Sequence, residues 1–207
     1  MTHATSVRAG PDGFAFLQAG PLLDTDLELV CPDWCWIDDV LTACRHPLTD
    51  AQDSEHAATT REQLEHLIQI APQGHEPGNP QTGRSPTYHF WIRLRPEFSP
   101  PVPMAGNVTL RVGHTADLKL YFGHIGYGVY PPARGHHYAA RACRLLFDLA
   151  RAHGLNPLWI TTDPKNIASR RTCELLGATL VDIVHIPRHH ILYDRGQRQK
   201  CRYRIDL

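Results

Sequence analysis

Residues 122–146, with the sequence FGHIGYGVYPPARGHHYAARACRLL, constrain the fold of this chain more than any other stretch. The first part predicts a strand, because apolar side chains alternate with small or polar ones as far as Val129. Pro131 and Pro132 cannot donate to a sheet ladder, so the strand must end before them. Beyond the turn, apolar residues recur at helical spacing up to Leu149 and predict a helix with one buried face.

A turn between a strand and a helix is a natural binding site for an anion. Several backbone N–H groups lack partners there, and the helix dipole adds positive potential. Arg134 lies in this turn, so a pyrophosphate group would be a suitable ligand. Gly126 and Gly128 within the strand indicate either a bulge or a backbone that another group approaches closely.

A second strand and helix follow. The run at 158–162, LWITT, is typical of a buried parallel strand, and its connection through a helix should be right-handed. Asn166 is expected to cap the next helix, which Gly177 closes. Ser169 and Cys173 share a helix face with Asn166, because the three residues are spaced by three and four positions.

Two motifs in this order resemble those of a known family. The sequence RGHHYA at 134–139 resembles the acyl-CoA loop R/Q-x-x-G-x-G/A of the GNAT N-acetyltransferase superfamily. Downstream, NIAS at 166–169 and ELLGA at 174–178 resemble the second signature of that superfamily. The similarity is greatest to the branch of ribosomal-protein N-acetyltransferases and uncharacterised relatives, and it is clearest over residues 105–207. His137 stands where the second glycine of the loop is usual.

The resemblance implies a mixed α/β (α+β) GNAT fold, in which helices flank a twisted, mostly antiparallel sheet. Its two central parallel strands, 122–130 and 158–162, are expected to splay apart and admit acetyl-CoA. The length predicts a single domain over residues 1–207. Residues 1–13 are expected to be loosely ordered, and the Pro- and Gly-rich segment 71–86 to be a long surface loop.

The remaining elements follow from periodicity and from turn residues. Besides the helix at 136–153 and the helix from Asn166 to Leu176, helices are predicted at 33–44 and 55–70. Further strands are predicted at 14–20, 26–30, 87–94, 106–112, 179–186 and 200–205.

The resemblance also implies a set of residues that hold the co-substrate. They lie at the strand end, in the loop and at the start of the later helix: Gly128, Val129, Tyr130, Arg134, Gly135, His136, His137, Tyr138, Ala139, Asn166 and Ser169. A backbone N–H near Val129 would polarise the acetyl carbonyl, as an oxyanion hole does. Asn166 can equally serve only as a helix cap.

Three residues are candidates for catalysis. His124 occupies the strand position where relatives often carry a glutamate base, and a neutral imidazole suits that task; alternatively, it is a strand histidine hydrogen-bonded in a polar pocket. Many relatives have a tyrosine acid at the position of Cys173. Here the leaving thiolate would take its proton from Cys173, from Ser169 or from water.

Composition excludes several classes of protein. Lys plus Arg and Asp plus Glu balance at 21 each, so binding of nucleic acid through bulk charge is not expected. No segment is long and apolar enough to predict a membrane span. The six cysteines form no CxxC pair, which favours a reduced, cytoplasmic protein. The 14 histidines show no metal-ligand spacing, so we expect no metal, and a zinc-dependent protein is a distant alternative.

The sequence therefore predicts an acetyl-CoA-dependent N-acetyltransferase that acts on a primary amine within a ternary complex. A small-molecule amine is the preferred acceptor, and a protein N-terminus or lysine is the alternative. A non-catalytic module that binds acyl-CoA is the alternative of another class. A homodimer is possible by analogy with such folds.

Overall fold

The computed structural model of the protein describes residues 6–9 and 14–207. The expectation of loose order for residues 1–13 therefore lies outside the described residues, except for residues 6–9. The strands of the described chain are β1 Ser6–Ala9, β2 Ala15–Leu17, β3 Leu23–Asp24, β4 Leu27–Val30, β5 His75–Glu76, β6 Thr87–Leu94, β7 Met104–Arg111, β8 Ile125–Val129, β9 Leu158–Thr162, β10 Thr179–His185 and β11 Gln199–Ile205. The α-helices are α1 Ile37–Cys44, α2 Pro47–Gln52, α3 Ser54–Ala57, α4 Arg61–Ile70, α5 Tyr138–Leu145, α6 Phe147–Ala152, α7 Ile167–Leu175 and α8 Ile191–Asp194.

The strands form two main antiparallel sheets. The larger sheet has the order β3-β4-β6-β7-β8, and β5 pairs with β6 beside it. The smaller sheet has the order β10-β11-β9, while β1 and β2 form a separate pair. Helices accompany both sheets, so the mixed, mostly antiparallel architecture agrees with the fold class predicted from the sequence.

The two sheets meet where β8 and β9 lie side by side without forming a ladder. β8 pairs only with β7, and β9 only with β11, among the described strands. Just before β8, the N–H of His124 donates to the carbonyl of Trp159 at 2.7 Å. The Trp159 N–H donates back to Nδ1 of the His124 imidazole at 3.0 Å. Beyond this double link the strands separate, as the sequence predicted for 122–130 and 158–162.

Two helices that the sequence predicts as continuous are divided, one of them by capping side chains. Thr60 and Gln63 form a reciprocal capping box that starts α4, so the predicted helix at 55–70 is two helices, α3 and α4. The predicted helix at 136–153 is divided at Leu146 into α5 and α6, without a capping side chain. Asp33 accepts a hydrogen bond from the N–H of Cys35 at 3.0 Å and opens a 3₁₀ turn that leads into α1.

Three elements differ from the sequence-based expectations. α2 forms between the predicted helices at 33–44 and 55–70, where the sequence predicts neither helix nor strand, because Pro47 lies at its first helical position and His46 caps it. α8 forms between the predicted strands 179–186 and 200–205, where the sequence predicts no helix. The segment 71–86 is not wholly a loop, since it contains a 3₁₀ turn at 72–74 and the short strand β5.

The hydrophobic core lies between the larger sheet and the helices that follow β8. Val108, Leu110 and Ile125 from the sheet and Leu146 from the helical side are almost completely buried. Each such side chain contributes about 1.5–3 kcal/mol relative to exposure. The core therefore fixes β7 and β8 against α5. None of the described helices combines the length and apolarity required to cross a membrane.

Candidate active site

The carboxyl end of β8 presents unused backbone donors to the gap between the two sheets. The N–H of Tyr130 donates to the carbonyl of Ala105 at 2.8 Å, on the β7 side. Because the bonding direction alternates along an antiparallel ladder, the N–H groups of Tyr127 and Val129 point away from β7. They face the side on which β8 and β9 diverge.

The loop after β8 curls so that consecutive amides face outward. Gly135 has φ of 90° and His137 has φ of 58°, both in the left-handed region. Among the described residues, the N–H groups of residues 135–140 have no hydrogen-bond acceptor. Successive free amides at the start of a helix form a concave site for anions.

A groove of about 560 Å³ runs along this loop and the gap. Its walls come from β8, the loop, α5, α7 and the junction of α2 and α3: Asp53, His56, Tyr127, Gly128, Val129, Ala133, Arg134, Gly135, His137, Tyr138, Ala139, Asn166, Ala168, Ser169, Arg171, Thr172 and Leu175. The groove brings together nine of the eleven residues predicted to hold the co-substrate. The two others lie outside it: Tyr130 is 3% exposed, and His136 is exposed with its ring stacked on Tyr138.

Asn166 and Ser169 form the α7 wall of the groove. The Asn166 side chain accepts a hydrogen bond from the N–H of Ser169 at 3.0 Å and therefore caps α7. Ser169 is half-buried with its hydroxyl turned toward β8. The cap thus holds the first turn of α7 at the groove.

Tyr127 was not selected from the sequence, yet its hydroxyl lies beside both candidate acids of α7. It is 2.9 Å from Oγ of Ser169 and 3.9 Å from Sγ of Cys173. Burial raises the pKa of the Tyr127 phenol well above its usual value and the pKa of the Cys173 thiol to about 11. Both groups are therefore protonated at neutral pH. The alternation along β8, which puts Tyr127 on the face opposite Gly126 and Gly128, was the available sequence signal.

Arg134 binds protein groups in addition to lining the groove. One guanidinium nitrogen lies 2.6 Å from a carboxylate oxygen of Asp53, and Nε donates to the carbonyl of Val129 at 3.1 Å. The side chain remains 46% exposed. Arg134 therefore joins the loop to the junction of α2 and α3, a connection that the sequence did not indicate.

Asp53 and His56 complete this side of the groove, and sequence reasoning did not select either of them. Nδ1 of His56 lies 2.9 Å from Oδ2 of Asp53, although the pair is not aligned as a regular hydrogen bond. Burial acts to raise the pKa of Asp53, but the close approach of the His56 ring, the hydrogen bond from the backbone N–H of His56 and the charge of Arg134 outweigh it. The net pKa of Asp53 is lowered.

His124, the predicted base, does not line the groove. It is fully buried; Nδ1 accepts from the N–H of Trp159 at 3.0 Å, and Nε2 lies 3.1 Å from the carbonyl of Gly113. Burial lowers the pKa of His124 to about 4, against a smaller opposing effect of the Gly113 hydrogen bond. Nδ1 is therefore committed to the link with β9, and Nε2 to the chain just after β7.

No group of three or more His, Cys, Asp and Glu residues within the described ranges is arranged to hold a metal ion. The thiol of Cys173 is completely buried and does not reach the groove. Of the predicted catalytic residues, the groove thus contains Ser169 alone.

Comparison with known proteins identifies related domains. The family model described as "Acetyltransferase (GNAT) domain" matches residues 21–179. No protein of curated function matches the sequence at a significant level. Similar solved structures include the microcin C7 self-immunity acetyltransferase MccE in complex with acetyl-CoA and AMP, with a TM-score of 0.63 and 15% identity over 89% of this chain and 94% of that one.

Two further similar structures are described as ribosomal-protein acetyltransferases. A putative ribosomal-protein-serine acetyltransferase from Vibrio cholerae has a TM-score of 0.62 and 15% identity, over 91% of this chain and 98% of that one. RimL, a ribosomal L7/L12 alpha-N-protein acetyltransferase solved with coenzyme A, has a TM-score of 0.62 and 16% identity over the same shares. At 15–16% identity, the similarity to these structures shows a shared fold.

Proposed function

The chain belongs to the GNAT acetyltransferase family, as an N-acetyltransferase whose acyl donor is acetyl-CoA, and on that premise we propose that it acetylates the primary amine of a small molecule within a ternary complex. The observation that carries the proposal is the groove at the end of β8, where free amides, a hydroxyl pair and a histidine meet. The hydroxyl pair and the histidine lie at opposite faces of that strand, and the amides lie in the loop beyond it.

The residues of the loop fit the phosphates of acetyl-CoA. The free N–H groups of residues 135–140 offer donors to an anion, and the start of α5 adds positive potential. Asn166 and Ser169 form the wall that a pantetheine arm would follow. When bound, acetyl-CoA supplies an activated thioester. The N–H of Val129, which points into the gap, is our candidate for polarising its carbonyl.

Ser169 is the proposed proton donor to the departing thiolate. Its hydroxyl lies in the groove, 2.9 Å from the hydroxyl of Tyr127, which can replace the proton that Ser169 gives up. Tyr127 thus supplies from β8 the phenol that many relatives carry on the helix, at the position of Cys173. The buried Cys173 thiol packs beside this pair and is not proposed as a nucleophile.

His124 is proposed to hold the two sheets together, in place of the base role expected from the sequence. A base must reach the groove with a free lone pair. Both ring nitrogens of His124 already have partners, Nδ1 with the N–H of Trp159 in β9 and Nε2 with the carbonyl of Gly113 after β7.

The acceptor face of the sheet favours a small amine. We define this face by Asn107, Thr109 and Arg111 of β7 and by Gly126 and Gly128 of β8, which register with them across the ladder. The three polar side chains are half-buried rather than open to solvent. A half-buried polar row suits a compact ligand better than an extended polypeptide.

A protein N-terminus is the second candidate acceptor. It is favoured by the similarity of the fold to RimL, which acts on the N-terminus of a ribosomal protein according to its description. The two candidates share the donor site and differ only in what occupies the acceptor face.

Binding of acetyl-CoA is tested by thermal shift, with Arg134→Glu as the variant. At about 100 times Kd, a ligand specific for the native state adds roughly 2.7 kcal/mol to the free energy of unfolding. For a domain of this size, the melting temperature should rise by about 5–10 °C. Arg134→Glu should lose this rise, because a carboxylate in the loop repels phosphate. Arg151→Glu, on α6 and also in an exposed ion pair, is the matched control that should keep it.

The acceptor is tested by mass spectrometry of acetylated products. The panel contains an aliphatic diamine, an arylalkylamine, an aminosugar and a peptide with a free N-terminal serine. Acetylation of one of the small amines is expected at the highest kcat/KM. Preference for the peptide would select the second candidate, and binding of acetyl-CoA without any transfer would contradict the enzymatic proposal.

A further inference from the structure

His56 lies on the acceptor face of β8, next to the strand end. A β-carbon at Gly128 would lie 3.4 Å from Nε2 of His56 and 3.6 Å from Oδ1 of Asn107. The ring packs edge-on against Tyr130 at a centroid distance of 5.2 Å. His56 and Gly128 both line the groove, and 28% of the His56 side chain is exposed. The imidazole is therefore fixed in place and still accessible.

The two ring nitrogens of His56 have different surroundings. Nδ1 faces Asp53, 2.9 Å away, while Nε2 is the ring atom nearest to Gly128. A carboxylate beside Nδ1 favours the tautomer that carries its proton there. Nε2 is then left with a lone pair directed at the strand end. Arg134 in turn holds Asp53 at 2.6 Å, which restrains the carboxylate.

Resting on the proposed function, we infer that His56 is the general base for the acceptor amine and that Asp53 is the residue that positions its ring. The base and the acid then lie on opposite faces of β8. His56 serves the acceptor face, while Ser169 and Tyr127 serve the helix side. The thioester would lie between them, at the end of the strand.

The proton and bond changes balance in this arrangement. The ammonium form of the acceptor gives one proton to bulk water, and the free amine attacks the thioester carbonyl carbon. A nitrogen–carbon bond forms and the carbon–sulfur bond breaks. The remaining excess proton on nitrogen goes to Nε2, and the thiolate takes a proton from Ser169, which Tyr127 reprotonates. Solvent then takes the proton from His56 and returns one to Tyr127, so the enzyme is restored. No oxidant, metal or further reactant is needed.

Within the described part of the chain, two charged groups are linked to His56, one directly and one through the first. Asp53 is anionic and Arg134 is cationic. Burial raises the pKa of the Tyr130 phenol, and burial also raises the pKa of the Cys44 thiol near it, so both stay neutral. The Asp53 carboxylate is the nearer charge and favours the imidazolium that forms during transfer.

The decisive experiment compares His56→Gln with wild type in two reactions of the full chain. One is transfer from acetyl-CoA to the best amine of the panel, and the other is hydrolysis with water as acceptor, followed by chromatography of the released coenzyme A. Positioned bases contribute about 10²–10⁴-fold to such reactions. We expect kcat in both reactions to fall at least 100-fold, while the thermal shift caused by acetyl-CoA is unchanged. His66→Gln, an exposed histidine on α4, is the matched control that should behave as wild type.

Asp53→Asn tests the positioning role separately. The variant should lower kcat, although less than His56→Gln does, while KM for acetyl-CoA is unchanged. Asparagine also caps helices, so a purely structural role of Asp53 in starting α3 would leave kcat close to that of the wild type.

Failure of the inference and failure of the proposed function are distinguishable. A His56→Gln enzyme within threefold of wild type, with the same pH profile, overturns the assignment of His56 and leaves the function standing. A wild type that binds acetyl-CoA but transfers its acetyl group to neither water nor any amine refutes the function, and with it the need for a base.

Discussion

At the residue scale, His137 adopts a conformation that suits glycine better. Its φ of 58° and ψ of 22° lie in the left-handed region at the N-cap of α5. In this region, a residue with a β-carbon lowers the stability of the folded state by roughly 1–2 kcal/mol. His137 stands where relatives of the family usually have glycine, so the loop keeps the backbone shape without the residue that adopts it most easily. The free amides of residues 135–140 depend on this shape.

We therefore expect His137→Gly to stabilise the protein. Removing the β-carbon relieves strain in the folded protein, and the greater entropy of glycine in the unfolded chain offsets part of that gain. The free energy of unfolding should therefore rise by about 1 kcal/mol, which urea denaturation measures. His136→Gly is the matched control, since His136 is exposed and its φ is not positive, and it should not stabilise. Equal loss of stability in both variants would mean that His137 makes contacts that outweigh its strain.

At the element scale, β7 and β8 approach each other closely at one point beside the groove. A β-carbon at Gly106 would lie 1.9 Å from the carbonyl oxygen of Gly128 and 2.9 Å from Cα of Val129. Backbone atoms cannot yield as the end of a flexible side chain does. The glycine in β7 therefore sets the position of the β8 end, from which the candidate oxyanion donor projects.

Gly106→Ala is expected to destabilise the protein by about 3 kcal/mol or more, because the two strands must move apart. It should also weaken the thermal shift caused by acetyl-CoA, since the displaced strand end forms the groove. Gly20→Ala is the control, with no atom within 4 Å of its β-carbon, and should change stability by less than about 0.5 kcal/mol. If Gly106→Ala matched that control, the close approach of the strands would be disproved.

At the scale of the whole molecule, the two sheets are joined through a buried imidazole that must remain neutral. The pKa of His124 falls from 6.5 to about 4 because burial disfavours its charged form. The unfolded chain therefore binds a proton more readily than the native protein does. The contribution of the neutral, buried His124 to stability is complete above about pH 6.5 and is lost as the pH falls toward 4.

Over that interval, His124 should make stability fall by up to about 1.4 kcal/mol per pH unit, in addition to the effects of the other histidines. His75 and His153, whose pKa values burial also lowers, contribute in the same direction. His124→Gln should lower the free energy of unfolding by about 2–3 kcal/mol at pH 7.5, because the hydrogen-bond partners of the imidazole, at Trp159 and Gly113, are left unpaired. Urea denaturation should show a smaller difference in the free energy of unfolding between this variant and wild type at pH 5. A constant gap at both values would rule out this titration.

The sequence by itself determined the local architecture at the end of β8. Pro131 and Pro132 stop the strand, Asn166 caps α7 as predicted, and the apolar spacing after the loop defines the helical face. These features depend on backbone geometry and on neighbours within a few residues, so short patterns reveal them. The two motifs of the family lie in this same local framework, which is why the fold class followed from them.

Only the tertiary structure decided which side chains face the groove. His56 and Asp53 precede β8 by some 70 residues, and their helices carry no motif that points to the loop. His124 matched a family position, yet the neighbouring sheet supplies the carbonyl and N–H that bury and occupy it. Tyr127 contacts Ser169 only because α7 packs across β8. Such contacts depend on how distant elements pack, and local periodicity contains no information about that packing.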